Sequence, residues 1–366
     1  MAAAPSNRHP IHSFEVLVVD VPLDRRWMGI TEMRHVVLRL RTTDGIEGLG
    51  WAFAFNTTLI PALHAAVESV AAQLVGLDAS NIRAVNAAVD RMVGYWGAGF
   101  SRYVQSVFDI ALHDLGAKAA GRSLAAFLGG GHVESVPVYA SQHLWRDWDL
   151  DALQEGAAAL VDEGWRALKF RIGANALARD EAERARVVRD AVGDDIAVIV
   201  DVNQGWDLAR TKEVAPLLEP YRLAWLEDPI DHRDIAGYAR LVGQLGMPII
   251  HGEYHHDVEP FGRIAAARAA DIVMIDAHHV GGIIPWLEVA TVCHVAHLPV
   301  ATHLSPEIGV HLAAAAPNCQ MLEYMDWSVN LFNERLERDD NGRAVVPDRP
   351  GLGVTLDETL LARSRD

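Results

Sequence analysis

The chain has 366 residues, of which 50% are hydrophobic and 22% charged. At roughly 150 residues per domain this length points to two domains, and the composition excludes a disordered chain. With 32 Lys and Arg against 49 Asp and Glu, the formal net charge is −17; no stretch gathers basic residues, so nucleic acid and anionic membrane are excluded as partners of the molecule as a whole. Two cysteines, Cys293 and Cys319, exclude a disulfide scaffold or a thiolate zinc site and fit reduced thiols in a cytoplasmic protein. The opening MAAAPSNRHP has no apolar core of signal-peptide type, and no uncharged run reaches the roughly 18 residues of a membrane span.

Residues 14–20 (FEVLVVD) and 35–41 (HVVLRLR), followed by the Gly-rich TDGIEGLGW, read as a small antiparallel meander. From Leu59 to Leu128 apolar residues recur at three- and four-residue spacing, which predicts helices. Gly129, Gly130 and Gly131 then break the chain, and the α+β first domain is expected to span residues 1–134. Beyond it the rhythm changes. Eight short apolar runs (VPVYA, ALKFRI, AVIVDV, LAWLED, PIIHGE, IVMIDA, PVATH and CQMLEY) alternate with amphipathic helices such as DLDALQEGAAALVDEG. That alternation predicts a parallel (β/α)8 barrel of the TIM type over residues 135–340. The tail, residues 341–366, contains VVPDRPGLGVTLD and is expected to pack back on the first domain.

Nearly every predicted barrel strand ends in a chemically capable side chain: Lys169 and Arg171, Asp201 with Asn203, Glu227, Glu253, Asp276, His303, and Glu323. From Asp201 onward these positions recur every 20–27 residues, the length of one βα unit, so each group is delivered to the same C-terminal rim. A single such acid is most simply a solvated loop residue or a helix cap, and Asp228 beside Pro229 fits that reading. Three carboxylates in matching register (Asp201, Glu227, Glu253), with no thiolate, favour a hard divalent cation, with Mg²⁺ the leading candidate. Asp276 and His303 fall on neighbouring strands, where a carboxylate would fix the imidazole tautomer for general acid–base work. Lys169 and Arg171, two apart on one strand, point to the same side and could hold a carboxylate or a developing oxyanion. Glu323 is a candidate hydrogen-bond donor if its pKa is raised. His255, His256, His278, His279, His294, His297 and His311 read as packing or surface residues, although His255 and His256 could line the pocket.

Taken in order, Lys-x-Arg, Asp-x-Asn, Trp-Leu-Glu-Asp-Pro, Gly-Glu, Asp276 before Gly281-Gly282, and Thr-His303 resemble the enolase superfamily. The segment DIALHDLGAKAAGRSLAAFLGG and the PGLGV at residues 350–354 extend that resemblance over essentially the whole chain. The Asp276–His303 pair and Glu323 resemble the mandelate racemase subgroup. The resemblance implies an N-terminal capping domain over the barrel, abstraction of the proton α to a carboxylate, and Mg²⁺ held by Asp201, Glu227 and Glu253. It also implies a small-molecule carboxylate as substrate, and a homo-oligomer. Many subgroup members carry Lys-x-Lys, whereas this chain has Arg171 at the second position. A guanidinium is a poor base, so a one-base reaction centred on His303 is expected, namely dehydration of an aldonate or aldarate to a 2-keto-3-deoxy acid. The alternatives are a 2-hydroxy acid racemase or epimerase on the same scaffold, and a non-catalytic metal- and acid-binding barrel. In this family the early loops of the first domain cap the barrel mouth. Here those loops are PLDRRWMGIT and WAFAFNTT, in which Arg25 and Trp27 are candidate substrate-binding residues and the pair Arg25–Arg26 favours a diacid.

Overall fold

The computed structural model describes residues 8–53 and 57–363. Three strands open the chain: β1 (Ile11–Trp27), β2 (Ile30–Thr42) and β3 (Glu47–Phe53) form an antiparallel sheet in that order. β1 runs well past the expected 14–20. Its alternation fades at Pro22, yet pairing continues through Pro22–Glu32 to Trp27–Ile30. An edge strand tolerates a proline because one side of its backbone needs no ladder partner. Three helices follow, α1 (Ile60–Leu74), α2 (Ile82–Val93) and α3 (Phe100–Ala119). The second predicted loop, WAFAFNTT, falls partly on residues 54–56, outside the described residues.

A closed barrel of eight parallel strands occupies the second region. After the two-residue β4 (Ser135–Val136) come β5 (Val138–Ala140), β6 (Ala167–Arg171), β7 (Ala197–Asp201) and β8 (Leu226–Glu227). The circle is completed by β9 (Ile249–His251), β10 (Ile272–Asp276), β11 (Val300–His303) and β12 (Cys319–Tyr324). Each lies on one of the eight apolar runs. Short polar residues start several of the outer helices: Asp149, Asp207 and Asp234 accept the Ala152, Arg210 and Gly237 amides at 2.8, 2.7 and 2.8 Å. The helix after β8 is thus capped by Asp234 and not by Asp228, which is fully buried. Cys293 and Cys319 are unbridged, and no helix among the described residues is long and apolar enough to cross a membrane.

Two buried acids of α3 join the sheet region to the barrel. Asp109 accepts the Ile283 amide and, at 3.1 Å, the Ile284 amide, capping the helix Ile283–Val295 that follows β10. Gly282, at φ 118°, leaves room for this; a Cβ there would lie 2.5 Å from the Asp109 Cβ. Asp114 accepts the Leu49 amide of β3 at 2.8 Å and the Leu352 amide of the tail at 2.9 Å. The tail lies against both regions: Leu352 also offers its carbonyl to His311 Nε2 at 3.0 Å, while His311 Nδ1 accepts the Ala125 amide at 3.1 Å. The final strand, β13 (Ala344–Val345), pairs with β4.

Candidate active site

Strand register builds the rim. Arg171, Asp201 and Glu227 are consecutive cross-strand partners on β6, β7 and β8, and Asp276 pairs with His303 on β10 and β11. Beneath them the lumen is filled by Tyr139, Ile199, Trp225, Ile250 and Met274, all buried, so the rim charges stand on an apolar floor. Burial at that depth requires partners.

Lys169 is one such partner. Its Nζ lies 2.5 Å from Glu227, 2.8 Å from Glu323 and 3.3 Å from Asp201, and 5.6 Å above the Tyr139 ring. Burial opposes its charge, but Glu227, Glu323 and Asp201 outweigh that and raise its pKa well above the usual value. Arg171 is used differently. Its guanidinium donates to the Ser141 and His143 carbonyls at 2.9 and 3.0 Å and to Ser141 Oγ at 2.8 Å, and stacks 3.8 Å over Trp145. It therefore fixes the segment that carries Trp145, and only its Nε, 3.9 Å from Asp201, faces the acids.

Glu227, Asp228 and Glu253 form a buried group whose ligand atoms lie within 4.8 Å of one another. Burial, reinforced by Asp201, Glu253 and Glu323, pushes Glu227 up to about 8 despite Lys169. Asp228 Oδ2 is buried without a hydrogen-bond partner, and Glu253 Oε2 is buried with no hydrogen bond, facing His303 Nε2 at 3.3 Å. More negative charge is gathered here than the nearby cations neutralise. Oxygen donors with unpaired atoms fit a hard divalent ion. Asp201 is not in that tight group: its two oxygens accept the Asn203 amide and side-chain Nδ2, each at 2.8 Å. Asn203, read as a substrate contact, instead braces Asp201 and accepts Arg146 at 2.6 Å, although it still borders the cavity. The reading of Asp228 as a cap is corrected: at φ 39° it turns inward towards Tyr238, whose hydroxyl is 3.4 Å away.

His303 Nδ1 is 2.7 Å from Asp276 Oδ2, while Asp276 Oδ1 accepts the His278 and His279 amides at 2.7 and 2.8 Å. The carboxylate is held ionised by these partners, so it accepts a hydrogen bond from Nδ1–H and leaves Nε2 aimed at the acids. Nε2 lies 3.3 Å from Glu253 and 3.8 Å from Glu323. Burial disfavours the imidazolium, but Glu253, Glu323 and the Asp276 hydrogen bond raise His303 to about 10. Glu323 corrects an expectation. Burial alone would raise its pKa and make it a donor; Lys169 and His303 override that and hold it down to about 2. Its Oε2 accepts the Leu304 amide at 2.9 Å.

Lys169, Arg171, Asp201, Glu253, His303 and Glu323 line a cavity of about 260 Å³. Its upper wall is Trp27, Trp145, Leu304, Met325 and Trp327, with Tyr254 at one side. Trp27 is thus brought to the site, and its ring centroid is 5.8 Å from Trp145 and 5.0 Å from Trp327. Arg25 is not: it pairs with Glu163 at 2.7 Å and borders a separate cavity of about 240 Å³. Sequence reasoning passed over Trp145, Tyr254, Met325 and Trp327; only their closeness to the predicted strand ends could have marked them. His255 and His256 do not border the cavity, whereas Tyr254 between them and Glu253 does.

An eight-stranded barrel with rim acids, a dyad at β10–β11 and an N-terminal sheet domain defines an enolase-like capped barrel. The chain belongs to the mandelate racemase/muconate lactonizing enzyme family: residues 13–129 match its N-terminal domain and residues 152–360 the enolase C-terminal domain-like model. It is similar to L-talarate/galactarate dehydratase of Salmonella typhimurium, 33% identical over 343 residues covering 92% of this chain and 84% of that protein. Arabinonate dehydratase of Saccharolobus solfataricus is 30% identical over 344 residues, 90% of each chain. Among solved structures, L-talarate dehydratase from Polaromonas sp. JS666, complexed with Mg and L-glucarate, superposes with a TM-score of 0.90 at 34% identity, covering 98% of both chains.

Proposed function

We propose that the chain is a Mg²⁺-dependent lyase that dehydrates a sugar acid to its 2-keto-3-deoxy acid. The observation that carries this reading is the Asp276–His303 pair at 2.7 Å, with His303 Nε2 3.3 Å from Glu253. The base and two candidate ion ligands, Asp201 and Glu253, thus border one small cavity. The dehydratase names of the relatives support the same reading.

Glu227 and Glu253 would hold the ion, with Asp201, the register partner of Glu227, as third ligand; Asp228 belongs to the same buried group. A divalent ion bound there supplies positive charge beside the substrate carboxylate while the α-carbon loses its proton. With an ion offsetting the charge of Glu253 that favours the imidazolium, His303 would be neutral at Nε2 and take that proton, and Asp276 steadies the resulting imidazolium. The same nitrogen then returns the proton to the β-hydroxyl as it leaves, so one H⁺ and one OH⁻ depart as water. Lys169 offers its ammonium to developing negative charge between Glu227 and Glu323. Arg171, bound to two carbonyls and stacked on Trp145, positions the pocket wall and provides no base on the opposite face.

The test is keto-acid formation from a panel of aldonic and aldaric acids with Mg²⁺, for the native chain and His303→Asn. The variant should lose activity by roughly 10³-fold or more. Undiminished turnover would remove His303 from the reaction, and α-deuterium wash-in from solvent without water loss would identify an epimerase instead.

A further inference from the structure

The proposed reaction leaves open which acid enters, and it has no use for the upper wall of the cavity. Resting on that reading, we infer that the substrate is a monocarboxylate whose far end is uncharged, held against a tryptophan wall, and that diacids are disfavoured. The two described cationic side chains bordering the cavity are Lys169 and Arg171. Both stand at the strand-end floor and are already engaged, Lys169 by three carboxylates and Arg171 by two carbonyls. Among the described residues bordering the cavity, the only other group that can carry positive charge is His303, the base itself.

Opposite the floor the wall is apolar. Trp145 and Trp327 lie nearly parallel, 8° apart at 6.4 Å, with Trp27 wedged 5.0 Å from Trp327. Leu304, Met325 and Phe53 back them, all buried in one cluster. Of the uncharged polar side chains bordering the cavity, Asn203 is held by Asp201 and Arg146, and Tyr254 suits a hydroxyl and not an anion. An acid anchored by one carboxylate at the floor therefore meets ring faces at its other end. The C–H face of a sugar chain or an apolar tail gains from that contact. A second carboxylate would be stripped of water with no cation beside it. Arg25, the residue that could have received it, is committed to Glu163 in the neighbouring cavity.

The experiment compares acids of equal carbon number, D-gluconate against D-glucarate and D-galactonate against galactarate, with Mg²⁺. Turnover is followed by keto-acid formation and binding by quenching of tryptophan fluorescence. The monoacid should lead in kcat/KM and in affinity by roughly 100-fold or more, as expected when one substrate leaves a buried charge unpaired. Trp27→Arg, at the half-buried rim, should cut that preference at least tenfold by giving a diacid its cation. A diacid preference in the native chain overturns the inference while leaving the lyase reading standing. Gluconate binding ahead of glucarate with no water lost from any acid upholds the inference and removes the lyase reading. No saturable quenching by any of the four acids overturns both.

Discussion

Asp109 offers the sharpest check on how the two regions are joined. It is 1% exposed and receives three donors: the Ile283 amide, the Ile284 amide at 3.1 Å and Asn86 Nδ2 at 2.5 Å. Asp109→Ala removes these hydrogen bonds and strands two backbone N–H groups at a buried helix start. Hydrogen bonds to a charged group contribute about 1.5–3 kcal/mol each, and orphaned buried donors cost about 1–3 kcal/mol each. Because these contributions overlap, the net loss is set at about 3–6 kcal/mol. With an unfolding entropy of about 2.1 cal/mol/K per residue over 366 residues, that corresponds to a Tm lower by about 4–8 °C. The assay is a thermal melt against Arg186→Ala, which breaks exposed pairs to Glu183 and Asp190 and should move Tm by less than about 1 °C. His113, whose imidazolium burial opposes but Asp109 favours, should also become more acidic by NMR titration. A melt indistinguishable from that of Arg186→Ala would refute the claim that Asp109 couples the regions.

Gly351→Ala should cost about 2–4 kcal/mol, because φ is 76° and the new Cβ overlaps Asp114 Oδ1 and lies 2.9 Å from Lys118 Cε; an unchanged urea midpoint would count against that packing. Burial holds His35 and His311 at about 4, below their unfolded value near 6.5. Between those values the unfolded chain binds the extra protons, so stability is full above about pH 6.5 and falls on acidification towards 4. Tm should drop from pH 7 to pH 5, less steeply in His311→Gln, and a flat profile would contradict this. Asp201→Asn should weaken Mg²⁺ binding by roughly 100-fold and Asp228→Asn by about tenfold, measured calorimetrically; the reverse order would place Asp228 among the ligands.

The barrel was legible because each strand is a short apolar run ending in a functional group, as in AVIVD at Ala197–Asp201 and IVMID at Ile272–Asp276. Adjacent strands in register then deliver Asp201 beside Glu227 and Asp276 beside His303 with no further information. What a side chain does with its hydrogen bonds was not legible. Arg171 spends its donors on Ser141 and His143, about 30 residues away in sequence, and Arg25 meets Glu163 across 138 residues. Glu323 follows the same pattern: sequence shows its burial, but the two cations that reverse the effect of burial arrive from β6 and β11. Of the tryptophan wall, sequence marks Trp27 through its capping loop; Trp145 and Trp327 come from the loops after β5 and β12 and share no periodicity with it.

The Asp114–Leu352 contact spans 238 residues. During translation at about 5–20 residues per second, the helix bearing Asp114 therefore emerges some 12–48 s before the segment that completes its coordination. Through that interval Asp114 is held by partners from its own region, the Leu49 amide at 2.8 Å and Lys118 Nζ at 2.6 Å, while its link to the tail is still to form. A nascent chain stalled before Leu352 should therefore keep the Asp114–Leu49 contact but show faster exchange at the Leu49 amide than the full chain.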